Sequence, residues 1–263
     1  MPLALVDILF PLIVAMALAM ARMTGMILIL PVFTRLGMTG LVRSGIAFGL
    51  SLPLVPHMLA AFGAGLPDAL TLSGLIVKEL FLGLLLGLLY AVPFWGVETA
   101  GNVIDQQRGA FSTFLGDPSG MEEASVIGTL FALVLIALFL LAGGFDLVVG
   151  GIYDSYSLWP AERFLPPLTP GGAEIALGIL DKVTRLGVLI AAPLVIAMFL
   201  GDLALGLVNR FAQQLNVFNI GFAVKSLIMV VLLPLYAVLL TRHFDDALAP
   251  LRTALTELGA YLK

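Results

Sequence analysis

Long apolar runs separated by short polar connections set the pattern of this chain, and each run is long enough to predict a buried or membrane-crossing helix. Leu3 to Leu30 is apolar except for Asp7 and Arg22. Gly45 to Leu66 follows, and Pro53 and Pro56 within it predict a kink or break. Leu80 to Val97, Ala124 to Phe145, Leu186 to Leu200 and Ser226 to Thr241 complete a set of about six, with Pro193 and Pro234 inside the last two. Between them, Thr34 to Ser44, Pro67 to Glu79 and the mixed stretch Asp146 to Thr184 read as connections, the last with Tyr153, Tyr156 and Trp159 suited to a membrane interface. From Arg242 to Lys263, Leu248, Leu251, Leu255 and Leu258 recur at helical spacing and predict an amphipathic tail.

One polar island breaks the pattern, from Gly101 to Gly120. Glu98, Asn102 and Asp105 fall at i, i+4 and i+7, so on a helix they share one face, and Gln106, Gln107 and Arg108 follow at once. After Gly109 the residues turn small and aromatic, through Ala110, Phe111, Ser112, Thr113, Phe114 and Leu115 to Gly116, and Asp117-Pro118-Ser119-Gly120 reads as a turn. A polar helix end therefore runs into a loop with two Phe. A second polar stripe, Asn209, Gln213 and Asn216, has the same spacing and is followed by Lys225.

Composition agrees with the pattern. A mean hydropathy of +1.10, with 60% hydrophobic and 11% charged residues, belongs to a membrane-class chain and not to a soluble domain. The net charge of −4 and the absence of a Lys/Arg cluster speak against nucleic acid as a partner. With no Cys there is no disulfide, thiolate metal site or Cys nucleophile. The first run has Asp7 and lacks an early Lys or Arg, so it is expected to stay in the mature protein instead of being a cleaved signal.

Several residues admit two readings. Arg22 is either a helix-end cation snorkelling to the interface or an interhelical contact, because an ionisable group in such a run faces protein more often than lipid. Gly83 and Gly87, four apart, form either a surface for close helix approach or ordinary membrane-helix glycine. Orientation does not follow from the connections: Arg35, Arg43, Arg108, Arg210 and Lys225 fall on one side, and Lys78, Arg163, Lys182, Arg185, Arg242, Arg252 and Lys263 on the other. Either the span count is off or some runs are buried in protein.

The usual enzyme signatures are missing. There is no phosphate-binding loop, nucleophile elbow or His-Glu-x-x-His, and His57 and His243 are too far apart in the chain to predict a metal site. Asp117, Glu122 and Glu123 lack a His, Lys or metal set to work with. No catalytic residue, metal or cofactor is expected.

Ordered motifs along nearly the whole chain carry a resemblance. Gly101-Asn102-Val103-Ile104-Asp105-Gln106-Gln107-Arg108-Gly109, Asp117-Pro118-Ser119-Gly120, Gly143-Gly144, Ser155-Tyr156 with Trp159-Pro160, and Leu215-Asn216-Val217-Phe218 with Lys225-Ser226 resemble the SctT/YscT/SpaR family. These are T-type export-apparatus proteins of type III secretion, related to flagellar FliR, and the motif forms look more like the virulence branch than the flagellar one. The resemblance implies an all-α, polytopic helical membrane protein packed in a hetero-oligomeric export gate of the bacterial inner membrane, raised toward the periplasm. It implies R-type and S-type partner subunits, a U-type switch subunit, membrane lipid, and unfolded protein substrates in transit. Residues 1–172 would correspond to an R-like region and 173–263 to an S-like helical hairpin with the amphipathic tail.

The same resemblance puts a pore plug on Gly109, Ala110, Phe111, Ser112, Thr113, Phe114, Leu115 and Gly116, within a loop reaching Gly120. Asn102, Asp105, Gln106, Arg108, Asn209, Gln213, Asn216 and Lys225 would then be plug-base or subunit-contact residues. Glycine hinges and apolar bulk suit a displaceable obstruction. The alternative is a small-molecule secondary transporter, since Pro-broken helices with a few intramembrane polar groups also build such sites, although the two halves show no matching pattern of broken segments. A structural membrane scaffold would differ from the gate only in lacking the pore-facing loop.

Overall fold

A computed structural model describes residues 2–62, 67–109, 125–164, 172–212, 214 and 217–248. Among these residues the chain is all helical: α1 (Pro2–Ile29), α2 (Pro31–Thr34), α3 (Gly40–Ser51), α4 (Val55–Ala61), α5 (Ala69–Arg108), α6 (Val126–Leu141), α7 (Gly144–Leu158), α8 (Gly172–Phe211) and α9 (Val217–Leu248). Within the described residues, each of the six apolar runs lies mainly on helix, as its composition predicts. Among the described residues four helical stretches are long and apolar enough to cross a membrane, or five if the bent pair α6–α7 counts as one span. This is a polytopic helical membrane protein.

The breaks follow local chemistry. Pro53 sits in a 3₁₀ turn, Leu52–Leu54, that separates α3 from α4, and Pro56 lies in the first turn of α4, where its missing N–H costs nothing. Gly143 adopts φ 73°, a left-handed conformation that glycine enters without a Cβ penalty, and α6 and α7 bend by 75° there. Pro93, Pro193 and Pro234 are all accommodated inside long helices.

Two expectations about connections need correcting. The stretch Pro67 to Glu79 is not a loop, because α5 begins at Ala69 and carries Lys78 and Glu79 as interior, buried residues. Asp146 to Thr184 is likewise mostly helix. Val148, Gly151, Ile152, Ser155 and Tyr156 are buried on one face of α7, a spacing of three and four that the surrounding polar residues disguised. Most of the tail from Arg242 lies outside the described residues.

The chain divides into two compact units, each with its own interior. The first comprises 1–91, 139–176 and 250–263, and the second 92–138 and 177–249. In the first, α1 buries Leu18, Ala19, Met23 and Met26 completely. Its contact with α5 is a glycine seam. A Cβ on Gly25 would strike the Leu80 carbonyl, one on Gly83 the Arg22 carbonyl, and one on Gly87 would come within 2.9 Å of the Met26 oxygen. Gly83 and Gly87 thus allow backbone-to-backbone packing, as small-residue faces do in membrane helices. In the second unit, Phe94, Val97, Leu135, Ile190 and Met198 form the interior, and the Tyr236 hydroxyl donates to the Ile190 carbonyl at 3.0 Å.

Candidate functional site

The polar end of α5 is built against the start of α6. The face carrying Glu98, Asn102 and Asp105 is the one that meets α6, and two glycines bring the backbones together. A Cβ on Gly101 would strike the backbone of Gly128, and one on Gly128 would strike the Asn102 Oδ1 and lie 3.1 Å from the Glu98 carbonyl. Close approach lets one carboxylate reach both helices. Asp105, 1% exposed, accepts from Arg108 Nε at 2.7 Å through Oδ1. Its Oδ2 accepts from Ser125 Oγ at 2.6 Å and from the Ile127 amide at 3.1 Å.

Each of these bonds answers a helix-end requirement. The first amides of α6 have no partner inside their helix, and Ser125 is placed as its N-cap, its Oγ accepting from the Gly128 amide at 2.8 Å. Asp105 takes the Ile127 amide, and its negative charge sits at the positive end of the α6 dipole. At the other helix, Gly109 follows the last turn of α5 with φ 79°, its amide donating to the Gln106 carbonyl at 3.0 Å. That is a left-handed glycine closing a helix. The residues flanking the 110–124 segment are thus tied to one carboxylate. Ala110, Phe111, Ser112, Thr113, Phe114, Leu115 and Gly116 lie outside the described residues.

A second contact reaches the same corner from α9. A Cβ on Gly109 would strike the Phe222 ring. Lys225, one turn on, has its Nζ 5.6 Å from that ring's centroid and 3.4 Å from Asp202 Oδ2 on α8. Gly109 and Lys225 are therefore linked through Phe222. Asn209 is exposed on α8, Gln106 is exposed on α5, and Gln213 and Asn216 lie outside the described residues.

In the first unit the notable charge is Arg22, wholly buried. Its Nε donates to Glu79 Oε2 at 2.7 Å and its Nη2 to Oε1 at 3.0 Å, a two-pronged pairing that suits the planar guanidinium. Nη1 donates to Ser155 Oγ at 2.8 Å and Nη2 to the Trp159 carbonyl at 2.9 Å, while the guanidinium stacks 3.7 Å from the Tyr156 ring centroid. Lys78 Nζ lies 2.7 Å from Glu79 Oε1 and donates to the carbonyls of Pro160, Ala161 and Arg163 at 3.2, 2.9 and 3.1 Å. Two cations thus gather the backbone carbonyls of Trp159, Pro160, Ala161 and Arg163 in the turn just past the end of α7. The Tyr156 hydroxyl is the one buried side-chain polar atom without a partner among the described residues.

Sequence reasoning singled out Arg22 but missed Glu79 and Lys78, which it read as the edge of a loop. A signal existed: Glu79, Gly83 and Gly87 recur every four residues and share one helix face. Among the described residues no group of three His, Asp or Glu gathers as a metal site.

The model of the family "Bacterial export proteins, family 1" matches residues 13–251. The chain is 35% identical over 236 residues to Yop proteins translocation protein T of Yersinia pestis, covering 88% of each chain. It is 31% identical over 224 residues to secretion system apparatus protein SsaT of Salmonella typhimurium, covering 84% of this chain and 86% of that one. Surface presentation of antigens protein SpaR of the same organism is 30% identical over 226 residues, with 86% and 83% covered.

Proposed function

The chain belongs to the bacterial export proteins of family 1, the family of the T-type secretion proteins and flagellar FliR, and on that premise we propose that it is a core subunit of a type III secretion export gate. It has an export role in secretion. In the proposed assembly it sits in the bacterial inner membrane with R-type and S-type subunits and a U-type switch subunit. Residues 1–172 take the R-like part and 173–263 the S-like hairpin. Its task is to help form and plug the channel for unfolded proteins, with energy supplied elsewhere in the machine.

The observation that carries this reading is the clamp at Asp105. A segment that must obstruct a wet pore and yet be pushed aside needs roots that do not move with it, and here the flanking helix ends share one buried carboxylate. The plug is Gly109 to Gly116, with Phe111, Phe114 and Leu115 as its apolar bulk. Exposed apolar side chains, including Leu41 and Phe48 on α3 and Leu203, Leu207 and Phe211 on α8, offer area for lipid and sister subunits.

The test replaces Phe111, Phe114 and Leu115 together by Ser in cells carrying the complete secretion system. The resting ion leak should rise while the complex still assembles. If leak and protein export both stay at the wild-type level, the plug assignment is wrong.

A further inference from the structure

We propose that Asp105 is a positioning residue that pins the end of α5 to the start of α6, holding the roots of the intervening segment at a fixed separation. The consequence for channel sealing rests on the plug reading above, whereas the pinning does not. Arg108, Ser125 and Ile127 all converge on this carboxylate, at 2.7, 2.6 and 3.1 Å. They divide between its two oxygens. Oδ1 serves α5 through Arg108, in the same last turn, and Oδ2 serves α6 through Ser125 and the Ile127 amide.

The division matters because the two helices otherwise meet here through glycine. Gly101 and Gly128 bring backbones close but supply no side chain to lock their register. Bonding to Oδ2 supplies that lock. Only a carboxylate serves both helices at once, since an amide side chain has one accepting oxygen and would turn N–H groups toward Arg108. Asn at 105 can keep the α6 bonds and loses the Arg108 pair, whereas Ala loses both.

The chain has no Cys, so labels at Gln106→Cys and Val126→Cys can be placed on two exposed positions flanking the clamp. The full chain, spin-labelled in membranes within the complex it forms, should give one narrow distance distribution by pulsed EPR. Asp105→Ala should broaden it and lower hydrogen-exchange protection of the Ile127 and Gly128 amides by roughly tenfold, the scale of one lost buried hydrogen bond. Asp105→Asn should retain most of that protection. Arg108→Gln should leave it unchanged, because Arg108 binds the other oxygen.

Should Asp105→Ala not accumulate, Ser125→Ala removes one Oδ2 bond and should broaden the distribution in part. An unchanged distribution and unchanged Ile127 protection in Asp105→Ala, or in Ser125→Ala where that variant stands in, overturn the proposal, whatever happens to ion leak. A broadened distribution with a wild-type leak keeps the pin and counts against the plug.

Discussion

Arg22 and Glu79 lie 57 residues apart in sequence and face each other through two hydrogen bonds of 2.7 and 3.0 Å, neither side chain exposed at all. Lys78 shares the same carboxylate, so two cations depend on one anion in the interior. Burying charge is costly, and only this dense set of partners makes it tolerable. Removing a single member is therefore far worse than removing a pair.

Glu79→Gln should destabilise the protein by about 3 to 5 kcal/mol, the usual cost of leaving a buried charge without its partner. The double change Arg22→Met with Glu79→Leu should cost less than Glu79→Gln alone, because Lys78 keeps its three carbonyl acceptors. Denaturant unfolding of the solubilised protein, followed by tryptophan fluorescence at Trp159, checks the order. A double variant less stable than the single one would show that packing, not charge pairing, dominates at this site.

The glycine seam gives a sharper contrast. Gly83→Ala places a methyl group against the Arg22 carbonyl, which backbone cannot yield cheaply, and overpacking of this kind costs about 1 to 3 kcal/mol. Gly45→Ala, on α3 with nothing within 4 Å of the new Cβ, should instead gain about 0.5 to 1 kcal/mol through helix propensity. Thermal melts of the two variants should move in opposite directions.

How much of this was legible depended on distance along the chain. The face of Glu98, Asn102 and Asp105 could be read from its spacing, whereas Ser125 went unmarked inside the run Ala124 to Phe145, although a Ser one residue before Val126 is an ordinary helix-start signal. That Asp105 and Ser125 meet is a tertiary fact, set by two glycines on different helices. Glu79 was hidden for a different reason: a charge next to an apolar run reads as its end, and only a buried partner such as Arg22 lets the helix continue through it. The contact of Phe222 with Gly109 leaves no trace in either local sequence.

The start of α5 should respond to acid. Asp68 precedes the helix, its carbonyl accepts from the Leu72 amide at 2.9 Å, and its carboxylate accepts from Thr71 Oγ1 at 2.5 Å. The Thr71 hydrogen bond, foremost, holds the Asp68 pKa below its ordinary value of 3.8. A depressed folded pKa means the contribution is present above the unfolded value and fades as pH falls through the folded one. Protection of the first α5 amides should therefore drop in that acid window in the wild type. In Asp68→Asn it should be lower at neutral pH and flat across the window.

The Gly109 corner can be divided into two costs. Any Cβ at φ 79° carries the left-handed penalty of about 1 to 2 kcal/mol, and at this position it also meets the Phe222 ring. Gly109→Ala should thus cost more than the backbone penalty alone. In a Phe222→Ala background only the backbone part should remain, so the two changes should couple by more than about 0.5 kcal/mol. A double-mutant cycle on unfolding free energy measures the coupling directly. Additivity to within about 0.3 kcal/mol would mean that the ring moves aside freely and that α9 does not hold the end of α5. Strong coupling would make Phe222 and its neighbour Lys225, paired with Asp202 at 3.4 Å, the route by which the α8–α9 pair bears on that end.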